Sequence, residues 1–326
     1  MKTRRLGKSG INVSEVGLGC WQLGGDFGPI DNEQAQAILR AADESGVLFW
    51  DTADVYGGGL SESRIEQYVF ERKPSAVIAT KVGRDPRLYP EGYSKENVHA
   101  NITGSAARLG VASLDLVQLH CVPPAVLQAG DILAWMEDFQ SQGLIRSFGA
   151  SVETLEEALA VVAHPGLASL QIIFNLFRQN AIDELFPLAK ANDVGIIVRL
   201  PLASGVLSGK MRHGQDFAAS DHRHYNRHGE AFSQGETFSG LPFDTAVDLA
   251  EAIGRWVPEG MTLAQMAMRW ILDHPAVTTV IAGASRPDQV VENARVSDLE
   301  PLAPALHERL AHFYRSEVEP AIVVPV

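Results

Sequence analysis

Cysteine is nearly absent from this chain. Cys20 and Cys121 are the only two in 326 residues, which gives no disulfide framework and points to a reducing compartment, the cytoplasm. Long apolar runs are missing too. None approaches the roughly 18 residues that suggest a membrane-spanning helix, so no membrane partner is expected. The opening MKTRRLGKSG is basic, but no apolar stretch follows it, so it does not read as a secretory signal. Basic residues are the minority charge. Lys and Arg number 27 against 40 Asp and Glu, a formal net charge of -13. That balance argues against nucleic acid as a partner, while leaving room for a local basic pocket that takes a phosphate. No low-complexity linker divides the chain, so residues 1–326 read as one domain. Nothing in the sequence indicates the oligomeric state.

What is present is alternation. A basic hairpin is expected around Arg4–Val13. Strand-like runs then follow at 15–19 (EVGLG), 47–51 (VLFWD), 76–81 (AVIATK), 114–120 (LDLVQLH), 145–151 (IRSFGAS), 170–175 (LQIIFN), 195–201 (GIIVRLP) and 278–285 (TTVIAGAS). Amphipathic stretches lie between them, most closing on Gly, Asn or Pro as helix ends do. Eight strand–helix units imply parallel pairing through right-handed crossovers. The expected fold is therefore α/β: a (β/α)8 TIM barrel with an N-terminal β-hairpin and long loops on its C-terminal face. A doubly wound open sheet is the competing arrangement. It is disfavoured because Gly17-Leu18-Gly19-Cys20-Trp21-Gln22 lacks the third glycine of the dinucleotide fingerprint. The segment 211–243 is polar, dotted with aromatics and too long for an ordinary connection, so it is expected to act as a lid or to shape a substrate site.

In such a barrel the C-terminal strand ends face the active site. Asp51, Lys81 and His120 end the second, third and fourth runs, and Tyr56 follows Asp51 in DTADVYG. Singly, each has an ordinary explanation: a helix N-cap, a surface charge, a satisfied histidine, a packed turn. Together on one rim they are proton-transfer equipment. A buried amine beside a tyrosine favours phenolate, so Lys81 is expected to lower the Tyr56 pKa toward working pH.

The segments GLGCWQLGG, DTADVYGGGLSE, IATKVG, LDLVQLH, GASV, QIIFN, PLASGVLSGK and GASRPDQVVENA run in order through the chain. Together they resemble the aldo-keto reductase superfamily. The resemblance implies a barrel that binds NADP(H), with NAD as the alternative, and that reduces aldehyde or ketone carbonyls, or runs the reverse. It implies Tyr56 as general acid, Lys81 paired with Asp51 as its tuning couple, and His120 as the group that orients the carbonyl. Cofactor contacts carried over on the same resemblance are Gly19, Trp21, Asp51, Ser151, Gln171, Arg199, Leu200, Leu202, Gly205, Lys210, Ser285, Arg286, Gln289 and Asn293.

Some positions depart from the family pattern. Val152 replaces the Asn of its Gly-x-Ser-Asn element, which removes one hydrogen bond to the carboxamide, about 1 kcal/mol net. Arg199 stands where many members stack an aromatic ring on the nicotinamide. Its charge is expected to disfavour the oxidised, cationic form, unless it turns away to pair with an acid. Gln289 replaces a common Arg, and Gly283 stands where some members carry Lys. Ser285 and Arg286 suit a ribose 2′-phosphate, and Lys210 adds charge near the pyrophosphate. Trp21 is expected to wall the substrate pocket. Cys121 is not expected to be a nucleophile. His213, His222, His224 and His228 cluster in the long loop, where a solvated role is expected rather than a metal site.

Two other classes of function stay open: a cofactor-sensing regulatory module built on the same barrel, and a metal-dependent lyase or hydrolase using Asp51 and His120 as ligands. The substrate is not legible, because specificity would lie in loops 84–93, 121–130 and 211–243.

Overall fold

The computed structural model describes residues 1–25 and 27–326. Two short antiparallel strands, β1 (Thr3–Arg5) and β2 (Asn12–Ser14), form the expected hairpin. Eight further strands follow: β3 (Val16–Gly19), β4 (Phe49–Asp51), β5 (Val77–Val82), β6 (Leu114–His120), β7 (Ile145–Ser151), β8 (Leu167–Ile173), β9 (Gly195–Arg199) and β10 (Val277–Gly283). They pair in parallel around a closed barrel in which β10 returns to β3. Closure settles the choice against an open doubly wound sheet. The apolar runs locate every barrel strand, and only their ends shift. For example, 170–175 marks a strand that begins three residues earlier, at Leu167.

Period-two alternation divides each strand between the lumen and the helical layer. On the lumen side a lower apolar layer contains Phe49, Ala79, Leu116, Ile197 and Ile281. Leu6 and Val13 of the hairpin pack against it and stopper the barrel at its N-terminal end. Two residues further along the strands the character changes to Asp51, Lys81, Gln118 and Arg199. The registers Gly19↔Asp51, Lys81↔Gln118, His120↔Ser151 and Ser151↔Gln171 bring these polar ends round one rim.

The outer layer is formed by helices whose apolar faces recur every three to four residues. In α1 (Asn32–Glu44), Ala35, Ile38, Leu39 and Ala42 are buried, and Asp31 caps the N-terminus by accepting from the Gln34 N–H at 2.7 Å. The long connection after β9 is ordered by short turns: α-helical His222–Tyr225, then 3-10 turns at Gln234–Glu236 and Phe238–Gly240. It returns across the C-terminal rim before the next helix, Phe243–Gly254.

Candidate active site

Asp51 is the centre of the rim network. It is 2 % exposed, so its charge needs partners. One carboxylate oxygen takes the Lys81 ammonium. The other accepts from Gln118 Nε2 at 2.9 Å and Gln171 Nε2 at 2.8 Å. Gln171 Oε1 in turn accepts from Ser151 Oγ at 3.4 Å. Gln118 was not anticipated, although it lies two residues before His120 on the same strand face, where period two could have found it.

Lys81 has three N–H donors and no acceptor. They go to Asp51, to the Thr52 carbonyl at 2.9 Å and to Tyr56 Oη at 3.1 Å. Since Tyr56 Oη accepts from Lys81, its own O–H is free to point into the cavity. Burial alone would lower the Lys81 pKa, but Asp51 and then Tyr56 outweigh it, and the net direction is upward. The expected lowering of Tyr56 is corrected here. Burial raises the phenol; Lys81 opposes this, Asp51 adds to it, and the net direction is upward. Lys81 therefore limits a rise rather than producing a phenolate.

The Tyr56 ring meets that of His120 edge-on, with centroids 5.9 Å apart. Burial holds His120 well below the ordinary imidazole range, reinforced by Arg84, Lys81 and Arg199. It is a neutral imidazole, and its Nδ1 is buried with no partner among the described residues. Trp21 stacks on Tyr56 at 5.8 Å and lines the same cavity.

That cavity, about 400 Å³, runs from Tyr56 and His120 past Gln171 and the turn 201–205 to Lys210, Ser285 and Gln289. Gly19, Trp21, Ser151, Arg199, Leu200, Leu202 and Gly205 also line it, and Lys81 stands behind Tyr56. Leu200 has φ +52° and Gly205 φ +98°, which fold the turn tightly at the cavity wall. The Lys210 ammonium forms no hydrogen bond or ion pair among the described residues, leaving an uncompensated cation for an anionic group. At the far end Gln289 Oε1 accepts from the backbone N–H groups of Ser285 and Arg286, at 2.8 and 3.2 Å. Arg286 turns outward to Asp288, and Arg286 and Asn293 are not among the cavity-lining residues. The cavity, with its amide and serine groups and the unpaired Lys210 ammonium, thus fits a dinucleotide.

Arg199 does not present an unpaired guanidinium. Its Nη1 is 3.2 Å from Glu236 Oε2, and its Nη2 donates to the Val152 carbonyl at 3.0 Å. Arg84 Nη2 bridges Glu236 Oε1 at 2.5 Å and Glu153 Oε1 at 2.6 Å. This charge cluster was not foreseen. Arg84 follows Lys81 closely enough to be a rim candidate, but Glu236 lies in an aperiodic polar stretch that reads as solvated. Cys121, Glu153 and Glu236 have ligand-type atoms within 4.8 Å of one another. The two guanidinium groups already bound there make the place unfavourable for a metal cation. Burial pushes the Cys121 thiol up to about 11, which disfavours its thiolate.

The solvated role expected for the loop histidines is corrected at one of them. His222 is fully buried, with its ring 4.4 Å from Phe27 and 4.9 Å from Trp21. His213 is exposed and pairs with Asp248. Asp51, which the metal reading needs, already holds partners on both oxygens.

A family model described as "Aldo/keto reductase family" matches residues 15–315. The chain belongs to the aldo/keto reductase family. The proteins it is similar to include one of rice (Oryza sativa subsp. japonica) named probable voltage-gated potassium channel subunit beta. It is 29% identical over 93% of this chain and 93% of the relative. A second, from Escherichia coli (strain K12), is named NADH-specific methylglyoxal reductase and is 27% identical, covering 90% of this chain and 92% of that protein. The crystal structure of an aldo/keto reductase from Klebsiella pneumoniae, described as in complex with NADP and acetate, superposes with a TM-score of 0.71. It shares 25% identity, with 96% of this chain and 95% of that one covered. No described helix of this aldo/keto reductase is long and apolar enough to cross a membrane.

Proposed function

We propose that this chain, acting as one barrel domain in the cytoplasm, is an NADP(H)-dependent oxidoreductase that reduces small aldehyde or ketone carbonyls to alcohols, or runs the reverse. The observation that carries the proposal is the donor count at Lys81. All three of its N–H groups are engaged, so the Tyr56 O–H is left to face the cavity beside a neutral His120. A carbonyl oxygen seated between them takes one hydrogen bond from the imidazole and one from the phenol. As negative charge develops on that oxygen, Tyr56 gives up its proton, and the Lys81 ammonium at 3.1 Å stabilises the phenolate left behind.

Gln171 and Ser151 would hold a carboxamide, with Asp51 beneath them fixing Gln171 at 2.8 Å; the turn 201–205 and Lys210 would hold a pyrophosphate, and Ser285 and Gln289 the adenosine end. The bound nicotinamide cofactor supplies the hydride. NADP is the first choice and NAD the alternative: the Klebsiella structure is described with NADP, and the E. coli relative is named for NADH. Trp21 and Phe27, backed by the buried ring of His222, form an aromatic wall for the substrate.

The test is absorbance at 340 nm with NADPH and a panel of carbonyls, repeated with Tyr56→Phe. Turnover by the native protein that disappears in the variant supports the reading; equal turnover in both overturns the role of Tyr56. The name of the rice relative favours a second reading, a cofactor-binding channel subunit. NADPH binding with no turnover of any carbonyl would select it.

A further inference from the structure

Glu236 arrives in the pocket from the segment between β9 and the helix Phe243–Gly254, and its carboxylate is divided between two arginines. Oε1 lies 2.5 Å from Arg84 Nη2 and Oε2 lies 3.2 Å from Arg199 Nη1. Glu236 and Arg199 both line the cavity that holds Tyr56 and His120, and both are buried, at 4 % and 8 % exposure. A third guanidinium, that of the buried Arg178, donates from Nη2 to the Glu153 carbonyl at 3.0 Å, while its Nη1 has no partner among the described residues.

Three guanidinium groups, Arg84, Arg178 and Arg199, thus cluster with two carboxyl groups, and of the five only Arg199 and Glu236 reach the cavity. The two carboxyl groups are not equivalent. Burial and the neighbouring Glu236 push the Glu153 carboxyl up to about 7. Burial would raise Glu236 too, but Arg84 and Arg199 hold it down at about 2. Of the two, Glu236 is the carboxyl that its arginine partners favour as the anion. Elsewhere on the floor Asp51 and Lys81 answer each other.

A nicotinamide ring is cationic when oxidised and neutral when reduced. A charge held in a low-dielectric wall of its pocket therefore acts on the two forms unequally. We propose that Glu236 is a specificity-determining residue for cofactor redox form: its carboxylate offsets Arg199 and Arg84 and so lets the pocket accept the oxidised, cationic ring. The inference rests on the reading of this cavity as an NADP(H) site. It differs from the expectation for Arg199 alone, because the pair, not the guanidinium, faces the cavity.

The experiment measures dissociation constants of NADP+ and NADPH by quenching of tryptophan fluorescence, Trp21 being in the cavity wall. If the native protein binds neither form, the cofactor reading fails, and with it the ground for this inference. If the native protein binds, Glu236→Gln is expected to weaken NADP+ relative to NADPH by roughly tenfold, the scale of one partly screened unit charge. Arg199→Met is expected to shift the ratio the opposite way, and the double variant to bring it back toward the native value. Equal weakening of both forms in Glu236→Gln would reduce Glu236 to a structural brace and overturn the proposal. If circular dichroism shows that Glu236→Gln does not fold, the double variant is compared with Arg199→Met: an equal ratio in the two overturns the proposal, and a ratio shifted toward NADPH in the double variant supports it.

Discussion

Gly24 and Gly57 meet backbone to backbone. A Cβ on Gly24 would stand 2.6 Å from the Gly57 nitrogen, and one on Gly57 would stand 2.4 Å from the Gly24 carbonyl oxygen. Gly57 also holds φ +58°, in the left-handed region. The contact seats the turn that begins at Tyr56 against the segment that carries Trp21. Gly57→Ala should therefore cost about 1–3 kcal/mol of stability, and lower kcat more than it raises KM, because Tyr56 is displaced. A thermal melt and steady-state kinetics check this; native kinetics in a destabilised variant would show that the contact is structural only.

Tyr56→Phe removes the proton donor and keeps the ring against Trp21 and His120. A loss of about 10²–10⁴-fold in kcat is expected, with cofactor affinity held within a few-fold. Single-turnover rates and a binding titration separate the two effects.

Lys81→Met leaves the Asp51 carboxylate buried with only neutral donors, which should cost about 3–5 kcal/mol of stability. Changing Asp51→Asn as well removes the stranded charge. The double variant should recover much of the stability in urea unfolding and none of the rate. A double variant no more stable than Lys81→Met would show that the pair is not held together by its charge.

Because the Tyr56 phenol is pushed upward from its ordinary value of 10.0, its proton stays on through the neutral range. Carbonyl reduction should be flat in kcat from about pH 6 to 9 with respect to this group, since a donor fails only as pH rises through its pKa. Alcohol oxidation needs the phenolate and should rise with pH throughout that interval. A reduction rate already falling near pH 7 would contradict the assignment.

His222 is held from 6.5 down to about 4, chiefly by burial, with Asp221 opposing. The folded state prefers the neutral ring, so the unfolded chain binds the extra proton between those values and stability falls as pH drops from about 6.5 to about 4. The loss approaches about 3 kcal/mol. His222→Phe, which keeps an aromatic against Trp21 and Phe27, should flatten that part of the stability curve. Parallel curves for the two proteins would place the pH sensitivity elsewhere.

The barrel and its rim were legible because both follow a period. Apolar runs recur eight times, and residues at strand ends share a face by alternation, so Asp51, Lys81 and His120 could be brought together on paper. Glu236, Arg84 and Glu153 could not. They sit in loops, where no period relates residue 84 to residue 236, and a glutamate within FSQGETFSG looks like any solvated acid. His222 hid for the same reason: its burial comes from rings contributed by the segment after β3, about 200 residues earlier. The direction of the Tyr56 shift was missed differently. A neighbouring amine can be read from sequence, but the competing effect of burial depends on how tightly the finished floor closes.

The hairpin stopper and the β10–β3 seam together impose an order on synthesis. Leu6 and Val13 leave the ribosome first, yet the surface they plug includes Ile197 and Ile281. The seam cannot form before Val277–Gly283 has been made. The barrel therefore cannot close until its last strand has been made, and that strand is the one that seals it against β3.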